Sequence, residues 1–204
     1  RNPEDGCYPV GKGKIYVWNV LPARICLSRE LAREYRELVR GALKECAIDW
    51  QYRNDLTLHR GPYIISAVMD ESVNEEPKRF EGLYADMLEN DYRIIEHKEI
   101  GPDENAILFD FSKIEQEEFR VVGTSARVEE AVHSESGIRF RLKTAENIRA
   151  FLRVRLPRPV SQVSGVDEEW NPVSVSMEWD ERTRTLLVSY DSHAKAVDVT
   201  AQWA

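Results

Sequence analysis

The last third of the chain alternates apolar and polar residues with few interruptions. Ile138, Phe140 and Leu142 interleave with Arg139, Arg141 and Lys143; Val173, Val175, Met177 and Trp179 interleave with Ser174, Ser176 and Glu178; Val197, Val199, Ala201 and Trp203 interleave with Asp198, Thr200 and Gln202. A period of two sends successive side chains to opposite faces of a strand, so each of these strands is expected to have one buried and one wet face. Half-buried strands of this kind build antiparallel sheets. Turn-separated runs near residues 120–132, 137–143, 149–156, 159–166, 173–179, 185–190 and 196–203 therefore predict a sandwich. Asp180-Glu181-Arg182-Thr183, between two alternating runs, reads as a hairpin connection.

Earlier in the chain the period changes. Residues 14–20 read as a strand, and Ser28 offers a hydroxyl to cap the amides of a helix that follows. Leu31, Tyr35, Leu38, Val39, Ala42, Leu43 and Cys46 then recur at helical spacing and make one apolar stripe, with Arg29, Arg33, Glu34, Arg36, Glu37 and Arg40 on the other side. Residues 62–69 are nearly continuously apolar, which predicts a strand covered on both faces; residues 80–88, 92–100 and 105–111 predict further strands, with Gly101-Pro102-Asp103 as a turn. The expected fold class is mainly β: antiparallel β-sandwich units of immunoglobulin-like type with one N-terminal amphipathic helix. The expected organisation is a strand-helix segment over 1–55, read as the end of an α/β domain, a small β domain over 56–117 and an antiparallel sandwich over 118–204.

Composition narrows the partners. The 204 residues are 42% hydrophobic and 31% charged, with a formal net charge of −8. Binding nucleic acid needs clustered Lys and Arg that release counterions, so no nucleic-acid partner is expected. No run approaches the roughly 18 apolar residues of a membrane span, so no membrane insertion is expected. The polar start, Arg1 to Gly6 without an initiating Met, lacks the apolar region of a signal peptide and reads as a processed product or an excised fragment. Alternation places Arg139, Arg141, Arg153 and Arg155 on a sheet face, as a basic strip or as the ordinary solvated side. Cys7, Cys26 and Cys46 are odd in number and lack metal-ligand spacing. Buried free thiols are the expectation, since Cys26 and Cys46 have apolar neighbours; one disulfide is the alternative.

No catalytic motif interrupts the pattern. His59, His97, His133 and His193 form no paired metal motif. Gly11-Lys12-Gly13-Lys14 precedes a strand, whereas a phosphate loop presents its amides at a helix start. No serine has the flanking glycines of a strained nucleophile elbow. With 36 Asp and Glu, no particular pair stands out as the two acids of a glycosidase. The densest acidic set includes Asp70, Glu71 and Glu75, hard oxygen ligands suited to Ca2+ or simply a solvated loop. Sugar rings stack on exposed aromatic faces, which directs attention to Trp170, in the polar loop Asp167-Glu168-Glu169-Trp170-Asn171-Pro172, and then to Trp50 and Tyr52 after the helix. Trp179 and Trp203 fall in register with core positions.

Two stretches resemble the accessory β domains that follow the catalytic barrel in multidomain glycoside hydrolases of the β-galactosidase kind. One runs Phe80-Glu81-Gly82-Leu83-Tyr84-Ala85-Asp86-Met87-Leu88 and continues through Ile100-Gly101-Pro102-Asp103-Glu104-Asn105-Ala106-Ile107-Leu108-Phe109-Asp110. The other runs from Leu156-Pro157-Arg158-Pro159-Val160 through Trp170 to Trp179-Asp180-Glu181-Arg182-Thr183-Arg184-Thr185-Leu186, and is similar to the terminal immunoglobulin-like domains of such enzymes. The first fifty residues resemble the last turn of an α/β domain such as the amidotransferase-like middle domain of some β-galactosidases. The catalytic barrel and its two carboxylates are not in this chain, so no catalytic residue carries over. The resemblance implies a non-catalytic accessory or carbohydrate-binding module, with a glycan or the catalytic domain of a parent protein as partner and a secreted or periplasmic setting. The alternatives are a structural or protein-interaction β domain without glycan affinity, and an independent glycosidase with unidentified acids.

Overall fold

The computed structural model describes residues 3–51, 53–69, 76–115, 119–193 and 196–204. The chain divides into two compact units, one of Arg1–Leu56 with Val68–Pro77 and Gly101–Glu104, the other of Thr57–Ala67, Lys78–Ile100 and Asn105–Ala204.

At the N-terminal end, β1 (Gly6–Val10) and β2 (Gly13–Val17) pair as an antiparallel hairpin. Of the Gly-Lys-Gly-Lys segment, Gly11 and Lys12 form the hairpin turn while Gly13 and Lys14 begin β2; Gly11 takes a φ of 59° there, a conformation that costs a residue without Cβ little. α1 (Pro22–Leu27) follows, with Pro in its first turn. Its six residues are too few to carry a readable stripe, which is why periodicity does not reveal it. α2 (Arg29–Glu45) starts where its cap predicts: the Ser28 hydroxyl accepts the Leu31 amide at 3.3 Å. Neither helix buries a residue. Tyr35 of α2 stacks with Trp18, ring centroids 5.8 Å apart. The Glu45 carboxylate accepts from Lys14 Nζ at 2.5 Å and from the Tyr16 hydroxyl at 2.8 Å, joining the end of α2 to the hairpin. Cys7, Cys26 and Cys46 are all free and exposed, which corrects the expectation of buried thiols. Apolar neighbours in sequence do not enclose a side chain when the element carrying it buries nothing.

β3 (Asp55–Arg60), β4 (Tyr63–Val68), β5 (Lys78–Asp86), β6 (Ile94–Ile100) and β7 (Asn105–Asp110) form a five-stranded sheet of order β3-β4-β7-β5-β6. The apolar run over 62–69 is covered on one face only: Ile64, Ser66 and Val68 are buried while Ile65 is 42% exposed. A sheet with one wet face leaves alternate residues outside whatever their chemistry. Ala85, Phe109 and Phe111 cluster with Val122 on the inner side.

The remaining strands are β8 (Arg120–Thr124), β9 (Arg127–His133), β10 (Gly137–Lys143), β11 (Ile148–Arg155), β12 (Val160–Asp167), β13 (Pro172–Val173), β14 (Val175–Asp180), β15 (Thr185–Ser192) and β16 (Ala196–Trp203). They make an antiparallel β-sandwich of two sheets, β13-β12-β16-β10-β9 and β14-β15-β11-β8. The run over 120–132 is two strands, because the chain leaves one sheet and enters the other at Ser125-Ala126. Phe140, Leu142, Leu152, Val154, Val188 and Val199 are fully enclosed between the sheets, with Trp179 and Trp203 half-buried against them.

The four arginines do not form one strip. Arg139 and Arg141 lie on β10 and pair with Glu129, Glu130 and Asp198 of neighbouring strands. Arg153 and Arg155 lie on β11 in the other sheet and are only 2% and 4% exposed. Arg153 is covered because the turn between β5 and β6 rests on it: its guanidinium donates to Thr185 Oγ1 at 3.1 Å and to the Asp91 carbonyl at 3.4 Å. Burial pulls its pKa down, against the opposing pull of Glu178, Asp180 and Asp91. Gly123 of β8 allows this approach, since a Cβ there would stand 2.8 Å from the Tyr92 ring.

Candidate functional site

The loop between β12 and β13 is built around Asp167. One carboxylate oxygen of Asp167 accepts the amides of Glu169 and Asn171, both at 2.8 Å, and the other accepts Asn171 Nδ2 at 3.0 Å. Backbone bonds from Trp170 N to Asp167 O and from Asp167 N to Asn171 O close the same five residues on themselves. The Asn171 side-chain amide, with the Asn171 and Glu169 backbone amides, holds the Asp167 carboxyl below the ordinary carboxylate range. The ionised form is the one that ties the loop.

Trp170 sits at the tip of this clamp with φ at 68°. A left-handed backbone at a bulky residue is strained and persists only where its surroundings impose it. The consequence is an indole that projects away from the sandwich, 76% exposed, although Trp is among the residues most buried on average.

Beside the loop lies a cavity of about 300 Å³ whose lining includes Asp167, Arg149, Asp191, Ser176, Ser189 and His193. It opens where β13 leaves one sheet and β14 joins the other. Arg149 on β11 faces Asp191 on β15, so its guanidinium donates to the Asp191 carboxylate at 3.2 Å and to the Ser189 hydroxyl at 3.0 Å. The cavity thus offers fixed donors next to fixed acceptors, an arrangement suited to hydroxyl groups.

Trp170 is where the sequence places it, in an exposed polar loop. Trp50 is half-buried and belongs to the other compact unit. Tyr52, and the three carboxylates Asp70, Glu71 and Glu75 considered for Ca2+, lie outside the described residues. Among the described residues no three His, Cys, Asp or Glu side chains gather as a metal site, and no helix is long and apolar enough to cross a membrane. Sequence reasoning missed Arg149, Ser189 and Asp191. Their only signal is a polar position on an alternating strand, which every wet face shares. No family model, curated protein or solved structure matches the chain.

Proposed function

We propose that this chain is a non-catalytic, carbohydrate-binding β-sandwich module, accessory to a carbohydrate-active protein. The observation that carries the reading is Trp170, 76% exposed on a left-handed residue in a loop clamped by Asp167. A flat apolar ring presented by a rigid loop loses little freedom on binding, so stacking against a sugar face is retained as affinity. The adjoining cavity, at about 300 Å³, is at the small end of the range for ligand sites, roughly 300–1,000 Å³. Its arginine, acids and serines supply the hydrogen bonds that stacking lacks.

The test is a glycan array followed by titration calorimetry on the best binder, comparing the natural chain with Trp170→Ala. Loss of at least tenfold in affinity at unchanged melting temperature is expected. Binding that Trp170→Ala leaves intact, or no binding to any glycan, overturns the reading.

A protein-contact role is favoured by a different observation, the N-terminal segment. Its two helices bury no residue, and Leu21 and Leu27 are 69% and 88% exposed. Concentration-dependent sedimentation of a chain that binds no glycan would put this role ahead.

A further inference from the structure

Arg149 lines not one cavity but two. The second, of about 440 Å³, lies on the other side of it and is bordered by Phe151 and Ser125 of the sandwich and by Met87, Leu88 and Tyr92 of the turn between β5 and β6. Strand pairing explains the arrangement. Phe151 faces Ser189 across β11 and β15, and Ser189 faces Ser176 across β15 and β14. On the other side of β11, Ser125 Oγ accepts the Phe151 amide at 2.8 Å. Ser176, Ser189 and Phe151 therefore form a row across β14, β15 and β11 that continues to Ser125, just past the end of β8, about 15 Å from end to end at the usual strand spacing. One cavity lies over the β14 end of the row and the other over the β8 end.

Where they meet, the floor is rigid. The Arg149 guanidinium lies over the Phe151 ring, 5.9 Å from its centroid, and is held by Ser189 and Asp191. The wall of the second cavity is fixed too, because Arg153 holds the Asp91 carbonyl in the turn that carries Leu88 and Tyr92. Leu88 remains 51% exposed at the rim.

We infer that the two cavities are one groove, running across the strands from the Trp170 loop to the turn between β5 and β6, and that it takes a linear, uncharged glycan several sugar units long. This rests on the glycan-binding reading proposed above and deepens it. Length follows from the row, which extends well beyond a single ring. Neutrality follows from the charges: Asp167, Asp191 and Glu89 line the groove against one arginine, itself neutralised by Asp191. An acidic sugar would meet like charges in a partly desolvated setting. Hydroxyl pairs instead find the Arg149 donors beside the Asp191 and serine acceptors, and the Phe151 end offers apolar surface to the C–H face of a ring.

The experiment uses the full chain with oligosaccharides of one to six units of β-1,4-linked glucose, mannose and xylose, with polygalacturonate and heparin as acidic probes. Affinity for at least one neutral series should rise beyond the disaccharide. Phe151→Ala and Leu88→Asp should each cost at least fivefold on the hexamer and leave the dimer unchanged, with melting temperatures reported for both. Leu88→Asp keeps the test valid if Phe151→Ala weakens the sheet. Trp170→Ala should weaken dimer and hexamer alike. If the hexamer binds no better than the dimer, or Leu88→Asp leaves it untouched while Trp170→Ala still acts, the groove is wrong and the Trp170 site survives. Tighter binding of the acidic probes overturns the neutral assignment. If no probe binds, or Trp170→Ala changes nothing, the underlying reading falls as well.

Discussion

Strand β15 and helix α2 are both amphipathic, yet they end in opposite states. β15 buries every residue but one, and α2 buries none. Periodicity sorts side chains onto faces in both cases. What differs is whether another surface covers the sorted face: β15 lies between β14 and β11 with one face against a second sheet, and on its outer face Thr185 and Ser189 lie under the guanidinium groups of Arg153 and Arg149. α2 is joined to its hairpin through a stacked ring and an exposed ionic cluster. An apolar stripe is a capacity for burial, and hydrophobic stabilisation appears only as area leaves water.

The comparison is broken most directly in the core. Phe140→Ala, at a site with no exposure, should cost about 3–5 kcal/mol through lost transfer energy and a residual cavity. Leu27→Ala, at 88% exposure, should stay within about 0.5 kcal/mol of the natural chain. Urea unfolding followed by tryptophan fluorescence measures both, and equal costs would abolish the distinction. A smaller loss is expected at Gly137, where an added Cβ runs into the carbonyl oxygen of Ala201 on the neighbouring strand. Backbone cannot rotate away as a side chain does, so Gly137→Ala should cost about 1–3 kcal/mol by overpacking, read in the same titration.

Next comes the hairpin joining β14 to β15. The Asp180 carboxylate accepts the Thr183 amide and hydroxyl, both at 2.8 Å. Burial pushes its pKa up, but the two Thr183 hydrogen bonds and Arg182 outweigh this and leave it below the ordinary carboxylate value. A carboxyl more acidic folded than unfolded contributes stability above its unfolded pKa and loses it as pH falls through the lowered one. Melting temperatures between pH 6 and pH 2 should therefore converge for the natural chain and Asp180→Asn at the acid end. At neutral pH the two stabilities should differ by about 1 kcal/mol.

The smallest effect sharpens the other side of the contrast. Glu45→Ala removes the acceptor shared by Lys14 and Tyr16, and in so exposed a cluster the global melting temperature should not move. Hydrogen exchange over β1 and β2 should nonetheless speed up. Unchanged exchange would mean that the carboxylate does not hold the hairpin to the helix.

Much of this could be read from residue order. The alternation over 137–143 and 196–203 gave buried Ile138, Phe140, Leu142, Val197, Val199 and Ala201 directly, and Ser28 announced the start of α2. Trp170 was legible as an aromatic in a polar loop. Legibility failed where a distant segment intervenes. Arg153 follows the same alternation as Arg139, but the turn carrying Asp91 covers it. Cys26 and Cys46 have apolar neighbours and still stand in solvent. The break at Ser125 is a change of sheet, and nothing in the local pattern records which sheet a strand joins.

The sequence by itself determined which side chains of each strand share a face and where the chain can turn, because period and turn chemistry are set by neighbouring residues. Only the tertiary structure decided that Arg149 meets Asp191, 42 positions away, that Phe151 and Ser189 continue one row, and that this row ends beside the loop of Trp170. Those meetings depend on strand order and register, which are selected by closing a common core and not by any local run of residues.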